Sequence, residues 1–230
     1  MHEQLDATGG ASVLTSLRAL LPRRPLLLAE ALQVAELQAT RLLKLQGVED
    51  LPVPDEVITS LPRILVETDR SLPDSVSGCS DWDRLRRCWV ILINPREPRT
   101  RQRLTMLHEY KHIIDHGSPG LLRPNLVNGM QMAPEEYVAD YFAGCALMPR
   151  RTLKAAWANG AQSVGALAAT FHVSTRAMQV RLKQVGLVTL DDGDAGSAAA
   201  VARQTPARFR GRYLRRSTWS CPSQHLGAAT

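Results

Sequence analysis

The sequence predicts an α+β fold: a helical N-terminal part, a short sheet, metal-ligand-like motifs on two further helices, and a helical segment after them. Segments 63–67 (RILVE) and 88–94 (CWVILIN) are rich in β-branched and aromatic residues and are bounded by Pro, Ser, Gly and Asn, which is typical of strands. The flanking segments are dominated by Ala, Leu, Glu, Gln and Arg, which favour helices. With 44% hydrophobic and 22% charged residues among 230, the composition is that of a globular chain.

Taken in order, the chain divides into predicted elements separated by Pro and Gly. Helices are expected over 11–21 and 26–46, the second ending at Gly47, and Asp55 is placed to cap a short helix that runs to Leu61. Residues 71–83 read as a long loop between the two strands. Further helices are expected over 100–116, 134–148 and within 151–188, with a loop over 117–133.

Four parts follow from this order. We expect N-terminal helices over 1–50, a core over 51–150, a helix-turn-helix-like segment over 151–190 and a disordered Arg-rich tail over 191–230. The first part is shorter than a typical folded domain.

The basic character of the chain belongs to the tail. The formal net charge is +6, from 28 Lys and Arg against 22 Asp and Glu. From Ala195 onward there are six arginines and no Asp, Glu or Lys, so the rest of the chain has 22 basic and 22 acidic residues. The net charge therefore suggests nucleic acid binding only for the tail.

The sequence shows no segment that would direct it to a membrane or out of the cell. No apolar run approaches the roughly 20 residues of a membrane span, and the early apolar run at 26–28 is too short for a signal peptide. The four cysteines form no CxxC pair. We therefore expect a reduced cytoplasmic protein with no membrane partner.

Residues 108–112 (HEYKH) form an HExxH motif in a predicted helix. Residues four apart lie on one helix face, so His108 and His112 can bind the same metal ion, with Glu109 beside them as a general base. Two polar histidines on a helix surface would give the same short pattern.

The next helix offers a third ligand. Glu136 and Asp140 are four apart and share a face. In that arrangement Glu136 binds zinc and Asp140 accepts the outer ring N–H of a ligating histidine. Glu135 is the competing ligand, but its i+4 partner is Ala139, and an acid at a helix N-terminus is favourable in itself.

Together, residues 101–116 (RQRLTMLHEYKHIIDH), 136–143 (EYVADYFA) and 147–149 (LMP) resemble the ImmA/IrrE metallopeptidase family. The resemblance covers roughly residues 30–188, including weaker matches at 52–54 and 77–78. It implies a small gluzincin-like α+β core with one Zn²⁺ per chain, held by His108, His112 and Glu136. It also implies proteolysis of a helix-turn-helix repressor or antitoxin, within transcription regulation, a stress response or a toxin–antitoxin circuit.

The substrate implied by the resemblance is a separately encoded repressor or antitoxin, since 1–50 is too short for a repressor domain.

One departure from the family's motif is Lys111, where the family usually has Gly before the second histidine. Its ammonium could repel the metal or narrow the cleft. His116 lies two turns after His108 and so near the same helix face. It is a candidate for a hydrogen bond that supports the site, and an equally good interpretation is a histidine whose hydrogen bonds are made within the helix pair.

Residues 163–187 predict a rival function. The stretch 167–174 (LAATFHVS) followed by Ala177, Leu182 and Gly186 resembles a helix-turn-helix with Ser174 as N-cap of the second helix. Its possible DNA-contacting residues are Thr175, Arg176, Gln179 and Lys183. In this alternative the chain is a DNA-binding regulator whose metal site is structural or sensory. An ordinary packed helix pair is the interpretation we prefer.

Seven arginines between 84 and 103 face one acid, Glu97. They could steer an acidic partner towards the core or form a solvated face.

Overall fold

The computed structural model describes residues 12–118, Leu122 and 133–188. The predicted tail, residues 1–11 and most of the 117–133 segment lie outside the described residues. The bounds of the helices and strands are, in chain order, α1 Val13–Arg18, α2 Leu28–Leu45, α3 Glu56–Thr59, β1 Ile64–Thr68, β2 Gly78–Asp83, β3 Cys88–Ile93, α4 Arg99–Asp115, α5 Pro134–Leu147, α6 Arg150–Ala158, α7 Val164–Thr170 and α8 Thr175–Gln184. The predicted α+β class is confirmed, with a helical segment after the sheet and its helices.

The sheet has three strands in the order β1-β3-β2. Strand β1 runs parallel to β3, with Ile64 opposite Trp89, and β2 runs antiparallel to β3, with Ser80 opposite Ile91. The prediction of an uninterrupted loop over 71–83 is wrong, because β2 occupies its second half. The sequence of β2 (GCSDWD) contains no β-branched residue, so its propensity is low and its pairing with the apolar strand β3 decides its structure.

The sheet lies on α4, α4 packs on α5, and α5 packs on α2. One face of the sheet contributes Ile64, Trp89, Ile91 and Ile93 to the main core. The other face packs against Leu72 and Val76 of the loop between β1 and β2. The main core continues without a break from Leu17 in α1 to Val185 after α8. The division of the chain into four parts stays a prediction.

Gly78 allows the close approach of β2 to α4. A Cβ atom at this position would lie 2.6 Å from Cγ2 of Thr105 and 2.7 Å from the backbone oxygen of Leu92. The second neighbour is backbone of β3 and cannot rotate away, so any side chain here must displace β2 from β3 as well as from α4.

The Gly78→Ala variant is therefore expected to lose about 1–3 kcal/mol of unfolding free energy, the usual range for overpacking. Urea denaturation measures this. The matched control is Gly165→Ala, since a Cβ at Gly165 meets nothing closer than 3.9 Å. Equal stability of the two variants would contradict the tight packing of β2 on α4.

Two buried arginines attach the α7–α8 pair to the rest of the fold. Arg181 of α8 donates from Nε to the Met148 carbonyl at 3.1 Å and from Nη2 to Glu36 of α2 at 3.2 Å. Arg103 of α4 donates from Nη1 to the His172 carbonyl at 2.8 Å, in the turn between α7 and α8. The helix pair is thus part of the same packed body as the sheet and α4.

Glu36 lies where four helices meet. Its carboxylate accepts hydrogen bonds from Arg150 of α6 at 2.8 and 2.9 Å, from the Tyr141 hydroxyl of α5 at 3.1 Å and from Arg181. The hydrogen bond from Arg150 is the largest influence on the pKa of Glu36, which falls to about 2 against the opposing effect of burial.

This lowered pKa makes stability depend on pH in the acid range. Because the folded pKa is below the ordinary value of 4.5, the contribution is complete above pH about 4.5 and is lost as the pH falls towards about 2. The wild type therefore loses unfolding free energy on acidification, and the Glu36→Gln variant, which has no carboxylate to protonate here, should lose less. Because the carboxylate keeps some solvent contact, we expect the difference between the two proteins to be only about 1–2 kcal/mol. Urea unfolding between pH 6 and pH 3 measures it; identical pH slopes for both proteins would contradict the network.

Asp55 does not act as the predicted side-chain cap. It lies at the N-cap position of α3 but makes no capping hydrogen bond. Its carboxylate instead accepts from Nε of Arg103 at 2.8 Å and also pairs with Arg99, because two guanidinium groups of α4 lie within reach.

Within the described residues, no helix combines the length and apolar character needed to cross a membrane.

Candidate metal centre

Helix α4 carries the HExxH motif along a buried path. Its residues from Arg103 to Lys111 are all buried, since the helix lies between the sheet on one side and α5 on the other. Residues 99–112 contain few β-branched side chains and no Gly or Pro, so they form a continuous helix. The i, i+4 spacing accordingly places His108 and His112 on one face, with their rings 4.7 Å apart.

The predicted ligand atoms come together between α4 and α5. Nε2 of His108 lies 3.0 Å from Nε2 of His112 and 3.3 Å from Oε2 of Glu136, and Nε2 of His112 lies 3.5 Å from Oε1 of Glu136. These three residues form a possible metal-binding group. The Pro134 start of α5 and its acidic first turn place Glu136 at the helix end that faces α4.

Asp140, the residue predicted to orient a ligating histidine, lies behind His108. Nδ1–H of His108 donates to Oδ1 of Asp140 at 2.8 Å, because a carboxylate can only accept. Because Nδ1 makes this bond, Nε2 is the ring nitrogen that faces Glu136 and His112 and can bind a metal ion. An imidazole fixed in this tautomer is a better metal ligand than a freely rotating one.

These residues fit a metal ion by two tests. Donor atoms about 2.0–2.1 Å from a tetrahedral zinc ion lie about 3.3 Å apart, close to the 3.0–3.5 Å separations found here. In addition, Oε2 of Glu136 is buried and has no hydrogen-bond partner with acceptable geometry among the described residues. A buried carboxylate oxygen without a donor is costly, and a cation supplies what it lacks.

The electrostatics of the group also favour a positive charge. Burial opposes protonation of His108, yet the neighbouring carboxylates of Asp140 and Glu136 outweigh burial and raise its pKa to about 9. Burial likewise opposes ionisation of Glu136, but the neighbouring His108 and His112 lower its pKa to about 2. Two carboxylates therefore surround the imidazoles, an arrangement that stabilises a bound cation as well as a proton.

Glu109 is held from the sheet. Its side chain is buried, and Oε2 accepts a hydrogen bond from Oγ of Ser80 on β2 at 2.9 Å. No other hydrogen bond to this carboxylate occurs within the described residues, which leaves Oε1 available. Sequence reasoning missed Ser80, because the segment that contains it reads as a loop and only the pairing of β2 with β3 places it beside α4.

With this geometry established, comparison with known proteins decides the family. The sequence profile of the IrrE N-terminal-like domain, peptidase family M78, matches residues 68–183, half of the chain. The chain belongs to this family. The match includes α4, α5 and the α7–α8 pair, so the metallopeptidase-like fold expected from the resemblance is confirmed.

A solved structure from another protein shares the fold. A Mycobacterium tuberculosis transcriptional regulator has a TM-score of 0.51 and 16% sequence identity, over 74% of this chain and 51% of that chain. The present chain thus spans about half the length of that protein. A search of curated proteins finds no match.

Lys111, the departure from the usual IrrE-like motif, is buried and paired. Its side chain is 2% exposed, and Nζ donates to Oδ1 of Asp115, one turn later on α4, at 2.6 Å. Burial lowers the pKa of Lys111, and Asp115 opposes that effect. The ammonium is thus neutralised by a neighbouring carboxylate, which reduces the repulsion of a cation that the sequence suggested.

The other candidates around the motif have different surroundings. The ring of His116 packs edge-on against Trp89, with centroids 4.7 Å apart. Glu135 is exposed in the first turn of α5, as expected for an acid that stabilises a helix N-terminus.

Four of the seven arginines between residues 84 and 103 form ion pairs with carboxylates of the same chain. The arginines with carboxylate partners are Arg86 (Glu67 and Asp83), Arg96 (Asp74), Arg99 and Arg103 (both Asp55). These pairs favour a structural role over the steering of an acidic partner.

The helix-turn-helix candidates lie on the outer side of α8. Thr175 and Gln179 are exposed, and Arg176 and Lys183 are partly exposed. Ser174 caps the helix as predicted, since its Oγ accepts from the backbone N–H of Ala177 at 3.1 Å. The inner side contributes Leu167, Phe171, Met178 and Leu182 to the main core, which is the packed pair that we preferred.

The Asp140→Asn variant is expected to bind metal about 10- to 100-fold more weakly, the usual effect of removing an outer hydrogen bond to a ligating histidine. Competition with a fluorescent zinc chelator measures the dissociation constant. The matched control is Glu135→Gln, which changes an exposed acid on the same helix and should keep the wild-type affinity. A larger effect at Glu135 than at Asp140 would contradict the role given to Asp140.

Proposed function

We propose that this chain is a zinc-dependent endopeptidase that cleaves a regulatory protein of the repressor or antitoxin type and thereby controls transcription. The observation that carries the proposal is the convergence of His108, His112 and Glu136 beside a buried Glu109. Membership of a peptidase family supports it.

The proposed ligands are two imidazoles and one carboxylate. Three protein ligands of these types, with a fourth position open, are typical of catalytic zinc sites. When bound, zinc supplies a Lewis acid that polarises the scissile carbonyl and lowers the pKa of water.

The accessible side of the site is that of His112 and Glu136. The side chain of His108 has no exposed surface, whereas those of His112 and Glu136 are 29% and 25% exposed. A peptide can therefore approach from this side, while Asp140 and the interior of α4 keep His108 fixed.

Glu109 is the proposed general base and acid. Ser80 holds Oε2, so Oε1 accepts the proton of the attacking water and later returns it to the leaving amine. The burial of this carboxylate keeps competing hydrogen-bond donors away from Oε1. No oxyanion-stabilising donor is assigned.

A separately encoded regulator is the proposed substrate. The packing of α2 on α5 makes the N-terminal helices part of the catalytic body, which supports a substrate supplied by another chain. Cys88 and Cys145 are free thiols, which agrees with the proposed reduced cytoplasmic setting.

The test is a comparison of new protein N-termini in cells that express the wild-type chain or its Glu109→Gln variant. Mass spectrometry should find at least one cleavage product, from a DNA-binding regulator, that depends on Glu109. The matched control, Glu135→Gln, changes an exposed acid on the next helix and should retain the product. Identical sets of N-termini in all three cultures would overturn the proposed activity.

A second candidate is a DNA-binding regulator in which the metal site is structural or sensory. The exposed Thr175 and Gln179 of α8 favour it, and the structural neighbour named a transcriptional regulator is consistent with it. Contact with nucleic acid through residues 163–187 or through the tail belongs to this candidate. A gel-shift assay at moderate salt distinguishes the two candidates. Sequence-selective DNA binding that is lost in Arg176→Ala and Lys183→Ala would favour the regulator. A wild-type chain that shows no sequence-selective DNA binding would favour the peptidase.

A further inference from the structure

A cavity of about 420 Å³ lies at one end of the sheet, between α1 and α4. This volume is within the usual range for small-molecule sites. Its lining residues are Ser12, Val13, Leu14, Thr15, Arg18, Leu61, Pro62, Arg63, Ile64, Trp82, Trp89 and Tyr110. None of them belongs to the proposed metal centre.

The sheet supplies an aromatic wall. Ile64, Trp89 and Trp82 are direct cross-strand neighbours on β1, β3 and β2, so they form a row across the sheet. The two indole rings meet edge-on, with centroids 5.5 Å apart. Such a wall provides flat apolar surface for a planar ring.

Tyr110 contributes an unused hydrogen-bond donor. Tyr110 is fully buried, and its hydroxyl group has no hydrogen-bond partner among the described residues. Buried hydroxyl groups are normally hydrogen-bonded, since an unpaired one costs free energy. An acceptor atom on a bound molecule would satisfy this group.

The described lining of the cavity carries positive charge. Arg18 and Arg63 line it, and none of the described lining residues is Asp or Glu. Arg18 uses Nε and Nη2 for the carbonyls of Ile114 and Ile113, and Arg63 uses Nε for the carbonyl of Arg87. In the part of the chain that is described, neither forms an ion pair with a carboxylate, unlike Arg86, Arg96 and Arg150.

Arg63 has a second property of a ligand-binding residue. Its guanidinium carbon lies 5.1 Å from the centre of the Trp82 ring. The guanidinium therefore lies over the indole ring, and Arg63 is exposed while Trp82 is partly buried, so one molecule in the cavity can contact both.

We propose that this cavity binds a small aromatic carboxylate. The planar ring packs against Trp82 and Trp89, the carboxylate pairs with Arg63, and an acceptor atom of the ligand receives the Tyr110 hydroxyl hydrogen. The site is separate from the metal ligands, so the proposal does not depend on the proposed peptidase activity.

The test is NMR titration of the ¹⁵N-labelled full chain with benzoate, 4-hydroxyphenylacetate and indole-3-acetate, each compared with its neutral amide. Trp82→Phe and Trp89→Phe assign the two cavity indole N–H signals, and the other two of the four tryptophans are internal controls. At least one acid should shift both cavity signals saturably, with a dissociation constant on the order of 0.1–1 mM. Its amide should bind about fivefold or more weakly.

Three variants show whether the acid occupies this cavity or another part of the protein. Arg63→Gln should remove the preference for acid over amide, whereas Arg151→Gln, an exposed arginine on α6, should keep it. Tyr110→Phe should weaken binding by about fivefold, the effect of one hydrogen bond. Glu136→Gln should bind the acid as the wild type does, which rules out binding at the metal centre.

Absence of saturable shifts below about 10 mM for all three acids would overturn the proposal, since it would require affinity below that of typical ligand fragments. Equal affinity for acid and amide, or loss of binding in Glu136→Gln, would overturn it as well. Arg63→Gln changes a surface side chain, so this arm remains informative even where Tyr110→Phe disturbs folding.

Discussion

Replacing Glu109 with Gln is expected to lower kcat/KM for the cleaved peptide by about 10²–10⁴-fold, the usual contribution of general acid–base catalysis. Gln has the shape of Glu but cannot accept a proton at Oε1. The Ser80 hydroxyl can still donate to the remaining amide oxygen, so the local structure should be retained. Steady-state kinetics with a synthetic peptide that spans the cleavage site measures the effect.

Two controls distinguish a lost base from a damaged site. The metal content of Glu109→Gln should equal that of the wild type, because Glu109 is not a proposed ligand. Ser80→Ala should lose only about fivefold in rate, since it removes one hydrogen bond that orients the carboxylate. Full activity in Glu109→Gln would exclude this residue as the base.

Replacing Arg181 with Met is expected to lower the unfolding free energy by about 2–4 kcal/mol. The guanidinium is 1% exposed and connects α8 to Glu36 and to the Met148 carbonyl. Removing one partner of a buried ion pair leaves the charge of the other partner uncompensated, which typically costs about 3–5 kcal/mol. Arg150 still pairs with Glu36, so we expect a loss near or somewhat below the lower end of that range.

Chemical denaturation followed by circular dichroism measures this loss. The matched control is Lys183→Met, a partly exposed cation on the same helix, which should change stability by no more than about 0.5 kcal/mol. If Arg181→Met were as stable as Lys183→Met, α8 would not be held to the body of the protein by this arginine.

Much of the candidate metal centre could be predicted from the sequence because its residues lie on two helices. The i, i+4 rule needs only a helix, and it placed His108 with His112 and Glu136 with Asp140. Bringing the two pairs together requires α4 to pack on α5, which spacing alone does not show and which the family resemblance implied.

The parts that could not be predicted depend on contacts between distant segments. Strand β2 has a sequence of low strand propensity and exists through its pairing with β3, so Ser80 and its bond to Glu109 could not be found. Asp55 has a typical capping position, yet two arginines more than 40 residues away bind its carboxylate. The Lys111–Asp115 pair, by contrast, is an i, i+4 contact within α4, and the same spacing rule could have found it.

The most direct test of the proposed metal centre is elemental analysis of the purified full chain by inductively coupled plasma mass spectrometry. The wild type should contain one zinc ion per chain, and His108→Ala should contain less than about a tenth of that amount, because a central ligand is lost. His172→Asn, which changes an exposed histidine in the turn after α7, should keep the full amount. A wild-type protein without stoichiometric metal, or a His108→Ala variant that retains it, would contradict the proposed centre.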